Sequence, residues 1–239
     1  MEDIKTTHDL FVNIRRSIRL LYEYQKRMQG TMFHIKSVLK LSYSVKTDEN
    51  GSNSVKPSSK HSRPDTRIEI NKLFSLAPRQ SKDYGETQLW VGNWAWDYIY
   101  PMVMEYYLGE NSDGNFRLSV IQVTDDGYYL ARKQNISPDR CDTYTFSLPE
   151  ESNSIVLFVM EVKTKEAPWA KRWKRDSMEE NLTKWMIDSR EVIDDTTNRG
   201  NHFIVMKFPI SDLLNDISIE KVLNNISLHI KKITGIQII

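Results

Sequence analysis

The stretch "IVLFVMEVK", residues 155–163, decides the fold because it joins six apolar residues to a glutamate, a valine and a lysine. A continuous apolar run of this length is typical of a strand that is buried on both faces of a sheet. Alternate side chains of a strand share a face, so Glu161 and Lys163 should point the same way. The sequence therefore predicts a buried strand with a charged pair at its end.

Shorter strand patterns lie on both sides of this run. Apolar residues alternate in "FRLSVIQV" (116–123), and the turn signal Asp126-Gly127 predicts a hairpin with a second strand through 128–131. "TYTFSL" (143–148) and "HFIVMKF" (202–208) also favour strands, the latter ended by Pro209. We expect these strands to form one mixed or antiparallel sheet.

Helical patterns flank the predicted strands. A helix should begin at Asp176 or Ser177, and the aromatic-rich segment before Gly109 predicts a helix over 94–108 with that glycine as its C-cap. A last helix should end at Gly235, because the apolar residues before it recur at helical spacing: Ile219, Val222, Leu223, Ile226, Ile230 and Ile233.

The N-terminal region predicts one long amphipathic helix from about Thr7 to Leu41. Its apolar residues recur at alternating steps of three and four, interrupted only by Gln25. Such a helix either packs on its own domain or pairs with a partner helix. The residues of this stripe are Phe11, Ile14, Ile18, Leu21, Met28, Met32, Ile35 and Leu39.

These patterns predict an α+β protein, with a long N-terminal amphipathic helix and a mixed or antiparallel sheet flanked by helices. Residues 46–66 are polar and rich in Ser, Asn and Lys, which favours a linker or mobile loop. We therefore divide the chain into an N-terminal helix (1–45), this linker (46–66) and an α+β domain (67–239).

Charge and cysteine usage narrow the class of protein. The formal net charge is +1, so attraction to nucleic acid would have to come from local basic clusters. The lone Cys141 excludes an intramolecular disulfide and fits a reducing compartment. With no apolar run of membrane-spanning length, we expect a cytoplasmic protein without a membrane partner.

Strong catalytic signatures are missing from the sequence. It contains no G-x-S-x-G, Walker, dinucleotide-binding, H-E-x-x-H or C-x-x-C motif. The five histidines lack metal-ligand spacing, so zinc is not expected. These absences favour a protein that binds a partner over an enzyme.

The Glu161-x-Lys163 pattern supplies one catalytic hypothesis. A carboxylate at a strand end can hold Mg²⁺, while a lysine on the same face can orient water or stabilise phosphate charge. This arrangement resembles the PD-(D/E)xK nuclease superfamily over about residues 116–208. The resemblance implies Mg²⁺ as cofactor, Glu161 and Lys163 as catalytic residues, and Asp139 as a metal ligand with Glu161. Asp142 or Asp126 could equally fill the position of Asp139.

A basic, tryptophan-containing segment follows the predicted strand. Cations attract phosphate and aromatic rings stack on bases, so this segment could bind nucleic acid. Alternatively, its tryptophans pack on the sheet while the charges remain solvated. The candidate nucleic-acid-binding residues are Lys171, Arg172, Trp173, Lys174 and Arg175.

Two functions remain open from the sequence. The first is a non-enzymatic interaction or regulatory protein that binds a protein partner through its N-terminal helix or through the aromatic-rich surface of residues 89–109. The alternative is a Mg²⁺-dependent nuclease that uses Glu161 and Lys163. Neither pattern fixes an oligomeric state.

Overall fold

A computed structural model describes residues 7–41, 90–93, 103–138, 143–163, 175–196 and 201–239. In chain order they form α1 (Thr7–Val38), β1 (Trp90–Asn93), β2 (Val103–Glu110), β3 (Phe116–Val123), α2 (Gly127–Lys133), a 3₁₀ turn (Thr143–Thr145), β4 (Ile155–Lys163), α3 (Arg175–Ile187), β5 (Val192–Thr196), β6 (Asn201–Pro209), a second 3₁₀ turn (Ile210–Leu213) and α4 (Asp216–Thr234).

The described strands form one antiparallel sheet in the order β1-β2-β3-β4-β6-β5. β4, the strand predicted first, pairs with β3 on one side and β6 on the other, and its residues from Val156 to Val162 are buried. The predicted α+β class is therefore confirmed, and the sheet is antiparallel.

Helices cover both faces of this sheet. On one face, side chains of β2, β3, β4 and β6 pack against α1 and α4. On the other face, here called the α2/α3 face, Leu157 and Val159 of β4 pack among Tyr128 of α2 and Trp185 of α3. Because side chains alternate along β4, Glu161 belongs to the α2/α3 face as well.

The two long helices begin and end close to the predicted residues. α1 starts at Thr7, and its last turns place Met32 and Ile35 in the core. α4 starts with a capping box between Asn215 and Ser218 and ends at Gly235, whose φ of 77° is left-handed. The stripe from Ile219 to Ile230 is buried against the sheet, as its spacing predicts.

The helix predicted over 94–108 is wrong for its described part. Residues 103–108 belong to β2, which pairs with β3. Gly109 does not cap a helix: it adopts a φ of 111° where the register between β2 and β3 shifts. Glycine tolerates that conformation, which accounts for its position at the bulge.

The hairpin predicted at Asp126-Gly127 is also wrong. Asp126 is the N-cap of α2, and Tyr128 and Tyr129 are buried helical residues. "TYTFSL" contains a 3₁₀ turn over 143–145 in place of a strand. The strand ending at Pro209 is confirmed as β6.

Several predictions lie outside the described residues, including the linker over 46–66 and the beginning of the predicted domain at residue 67. Within the described ranges, no helix combines the length and the apolar character needed to cross a membrane.

Candidate functional site

The apolar stripe of α1 divides into two halves with different surroundings. Met28 is 3% exposed and Met32 is fully buried in the core. Phe11, Ile14 and Ile18 are instead 53%, 43% and 46% exposed. The apolar stripe of α1 is one continuous seam: its second half packs in the core, and its first half faces solvent.

The exposed half is a substantial surface. No residue from Asp9 to Tyr24 is buried, a length of about 24 Å at a rise of 1.5 Å per helical residue. We call the solvent-facing side chains Phe11, Ile14 and Ile18 the exposed stripe. Large apolar side chains concentrated on one helix face mark interaction surfaces more often than scattered single residues do.

A basic edge runs beside the exposed stripe. Arg15, Arg19 and Lys26 are separated by four and seven residues, a spacing that aligns side chains on an α-helix. All three are exposed, and Lys26 contacts Glu23 with a separation of 3.8 Å between Nζ and Oε2. The exposed half of α1 therefore combines an apolar stripe with a row of cations.

Gln25 lies where the stripe enters the core. The Tyr106 hydroxyl lies 3.2 Å from Gln25 Oε1 and donates to Gln122 Oε1 at 2.8 Å, with all three residues fully buried. The Tyr106 hydroxyl thus lies against both buried amide oxygens, which matters because desolvating a polar group without a hydrogen bond costs free energy. Gln25 Nε2, by contrast, has no hydrogen-bond partner among the described residues. The interruption of the stripe at Gln25 is thus a polar junction between α1 and the sheet.

Glu161, the predicted catalytic carboxylate, is held in an ion pair. It is 3% exposed, and Arg117 directs both Nε, at 2.8 Å, and Nη2 to its Oε2. The two residues are directly opposite each other in the register of β3 and β4. Phe203, which is opposite Glu161 on β6, stacks on Trp185 with ring centroids 5.8 Å apart.

Sequence reasoning missed Arg117. Alternation in "FRLSVIQV" places Arg117 on the face opposite Phe116 and Leu118. A cation on one face of a predicted strand is the signal that could have identified it as a partner for Glu161. The pairing itself depends on a strand register that joins residues 44 positions apart, and no local pattern encodes that register.

The candidate metal ligands are placed as follows. Lys163 follows Glu161 by two residues at the end of β4 and is partly exposed. Asp126 cannot share a metal ion with Glu161, because it contacts Asn153, which lies beyond the opposite end of β4. That end of the strand, at Ile155, is about 20 Å from Glu161 at 3.3 Å per strand residue. Among the residues that the structure describes, no three His, Cys, Asp or Glu side chains are arranged to hold a metal ion.

The remaining candidates stay predictions. Asp139 and Asp142 lie outside the described residues. Of the candidate nucleic-acid-binding residues, only Arg175 is described, as the first residue of α3, and its side chain is not. The other four candidates lie outside the described residues: Lys171, Arg172, Trp173 and Lys174.

Comparison with known proteins places the sheet in a family. Residues 65–235 match the family PM0109. The chain belongs to the PM0109 family. The match spans every described element from β1 to the end of α4, whereas α1 precedes it. No curated protein and no solved structure matches the chain significantly.

Proposed function

We propose that this protein is a non-enzymatic interaction protein that uses the first half of α1 to bind a partner protein. The observation that carries this proposal is the change in side-chain exposure along the apolar stripe of α1, from fully buried at Met32 to half exposed at Phe11. Helices gain most of their stability by packing an apolar face. The core buries that face in the second half of α1, and a partner protein would bury it in the first half.

The basic edge supports an acidic partner helix. In a seam built on steps of three and four residues, the side chains beside the seam face the partner. Arg15 and Arg19 would therefore meet the flank of the bound helix, and acidic residues there would complement them. In an antiparallel pair of two copies, the same basic edges would face each other and repel.

A designed peptide provides a defined probe of this surface. The peptide carries Leu and Ile at the seam positions and Glu on both flanks, and a matched peptide carries Lys on both flanks. We expect saturable binding of the acidic peptide to the full chain by fluorescence anisotropy. Binding should be weaker for the basic peptide and should weaken as salt is added, because exposed charges are screened.

Two variants test where the peptide binds. Replacing Phe11, Ile14 and Ile18 together by Ser should weaken binding roughly tenfold or more, because buried apolar anchors dominate interfaces. The control is Leu20→Ser, which removes an exposed leucine from the opposite side of the same helix and should leave affinity unchanged. Thermal unfolding of both variants reports whether the core is intact.

Other outcomes contradict the proposal. Equal binding by the triple variant would exclude the exposed stripe as the site. A molar mass that doubles with concentration in wild type but not in the triple variant would identify a second copy of this chain as the occupant. If the protein binds no peptide but binds an oligonucleotide, and Arg15→Gln and Arg19→Gln abolish that binding, the partner of α1 would be nucleic acid.

The alternative proposal is a Mg²⁺-dependent nuclease. Its support is that Glu161 and Lys163 share a face at the end of β4. The ion pair between Glu161 and Arg117 counts against the nuclease proposal, because a carboxylate that already neutralises a guanidinium attracts a metal cation less strongly.

Cleavage of single- and double-stranded DNA and RNA with Mg²⁺ or Mn²⁺ tests this alternative. The nuclease proposal predicts metal-dependent cleavage that Lys163→Ala and Glu161→Gln both abolish. Lys163 is partly exposed, so its substitution should leave the fold intact even where loss of Glu161 does not. Cleavage that persists in both variants, or no cleavage by wild type, would exclude Glu161 and Lys163 as the catalytic pair.

A further inference from the structure

A cleft of about 640 Å³ opens between α2, the end of α3 and the ends of β4 and β6. This volume is in the range of small-molecule binding sites. Its walls combine apolar side chains such as Leu130 and Phe208 with a group of charged and hydroxyl-bearing residues. It lies beyond the opposite end of β4 from Glu161 and is separate from the exposed stripe of α1.

Lys207 lies in this cleft and is only partly exposed. Its Nζ donates to the carbonyl oxygen of Trp185 at 3.1 Å and also to that of Asp188. These carbonyls lie at the C-terminal end of α3, where backbone acceptors lack helical partners and a cation is favourable. The contacts fix the position of the ammonium group but leave it without a carboxylate partner within ion-pair distance.

Lys133, in the last turn of α2, adds a second cation. It is exposed to the cleft and forms no ion pair or hydrogen bond with any described residue. Burial is the largest cause that lowers the pKa of Lys207; the charge of Asp188 raises that pKa, and the charge of Lys133 lowers it. Two ammonium groups thus repel each other across the cleft.

The carboxylates of the cleft are already engaged. Asp188 binds Arg190, with Nη2 2.6 Å from Oδ2. Asp126 accepts the backbone N–H of Asn153 at 2.6 Å. Asp188 has Arg190 as its closest counter-charge, and its field also reaches Lys207. Lys133 is the lysine of the cleft that has no counter-charge among the described residues, and Ser189 and Ser211 add hydroxyls that no described residue engages.

We propose that this cleft binds a small molecule that carries a phosphate group. The phosphate would accept hydrogen bonds from Lys133, Lys207 and the two free hydroxyls, and an apolar part of the ligand would lie against Leu130 and Phe208. A dianion relieves the repulsion between two ammonium groups more fully than a monoanion does. The proposal does not depend on a partner of α1.

Phenyl phosphate is a suitable probe, because it joins a dianion to an apolar ring. Titration calorimetry on the full chain at fixed salt should show one saturable site, with weaker binding of inorganic phosphate and of benzoate. Lys133→Met should weaken binding of phenyl phosphate about tenfold, and Lys133→Arg should restore most of it. Lys184→Met, an exposed lysine of α3 outside the cleft, is the matched control and should bind like wild type.

The lysine variants decide the proposal. Because Lys133 has no partner in the described structure, its substitution should leave the unfolding temperature unchanged, so lost binding reports lost contact with ligand. No saturable binding by wild type, equal binding by Lys133→Met, or equal loss in Lys184→Met would overturn the site. Benzoate binding as tightly as phenyl phosphate would overturn the preference for phosphate.

Discussion

Tyr106 and Gln25 join α1 to the sheet across 81 positions of sequence, with 3.2 Å between the phenol oxygen and the amide Oε1. The same hydroxyl is 2.8 Å from Gln122 Oε1. A hydroxyl carries one proton, so the shorter contact to Gln122 is the stronger hydrogen bond. This junction fixes the point at which the seam of α1 changes from core to exposed surface.

The first prediction follows from this order of strengths. Tyr106→Phe leaves the buried Oε1 of Gln122 without its closest donor and should cost about 1–3 kcal/mol of unfolding free energy. Gln25→Met has similar volume, retains the bond from Tyr106 to Gln122, and should cost less. Urea denaturation of both variants measures the difference. A larger loss for Gln25→Met would show that the junction depends on Gln25 instead.

A second prediction compares two glycines. A Cβ at Gly127 would lie 2.8 Å from Ser152 Oγ and 2.9 Å from the carbonyl oxygen of Ser147. Gly127→Ala should therefore destabilise the protein by about 1–3 kcal/mol, because the backbone carbonyl cannot move freely.

Gly30→Ala is its control. No atom lies within 4 Å of a Cβ at Gly30, which is exposed within α1. Alanine there should stabilise by roughly 0.5–1 kcal/mol, through its higher helix propensity. Thermal unfolding should move in opposite directions for the two variants, and a shift in the same direction would contradict this reasoning.

Elements with strong local periodicity could be predicted from the sequence. The steps of three and four in α4 and in the second half of α1, and the apolar run of β4, reflect which faces are buried, so the pattern and the structure report the same property. Gly235 ends α4 through a left-handed conformation that few other residues adopt readily.

Other features depended on distant parts of the chain. Asp126-Gly127 suits a tight turn locally, but the carbonyl oxygen of Gly127 accepts the backbone N–H of Ser147 and the carboxylate of Asp126 accepts that of Asn153, and no local pattern encodes either contact. The aromatic-rich segment has no clear period, so the pairing of residues 103–108 with β3 was not readable. Alternation along β4 predicts the face on which Glu161 lies. Its pairing with Arg117 depends on the register between β3 and β4, which the sequence of β4 alone does not encode.

The third prediction concerns this pair. Arg117→Met would remove the guanidinium that pairs with the buried carboxylate of Glu161, at a cost of about 3–5 kcal/mol. Adding Glu161→Leu should recover most of that loss, because a buried apolar pair avoids the desolvation of both charges. A double-mutant cycle by denaturant unfolding measures the coupling. Independent, additive losses would show that the two side chains do not act as a pair.

The last prediction is a difference in pH dependence between two aspartates. Burial raises the pKa of Asp126 above its usual value of 3.8, and hydrogen bonds from Arg190 lower the pKa of Asp188 to about 2. A raised folded pKa means that the folded state holds the proton more tightly. The stability that this provides is present below pH 3.8 and is lost as pH rises through the folded pKa.

The sign is reversed for Asp188, whose contribution is present above pH 3.8 and is lost as pH falls toward about 2. Unfolding free energies of wild type, Asp126→Asn and Asp188→Asn between acid and neutral pH test both signs. The excess of wild type over Asp126→Asn should fall as pH rises above 3.8, while its excess over Asp188→Asn should grow as pH rises from 2 to 4. Parallel curves would contradict the assignment, because they would mean that neither carboxyl changes its proton affinity on folding.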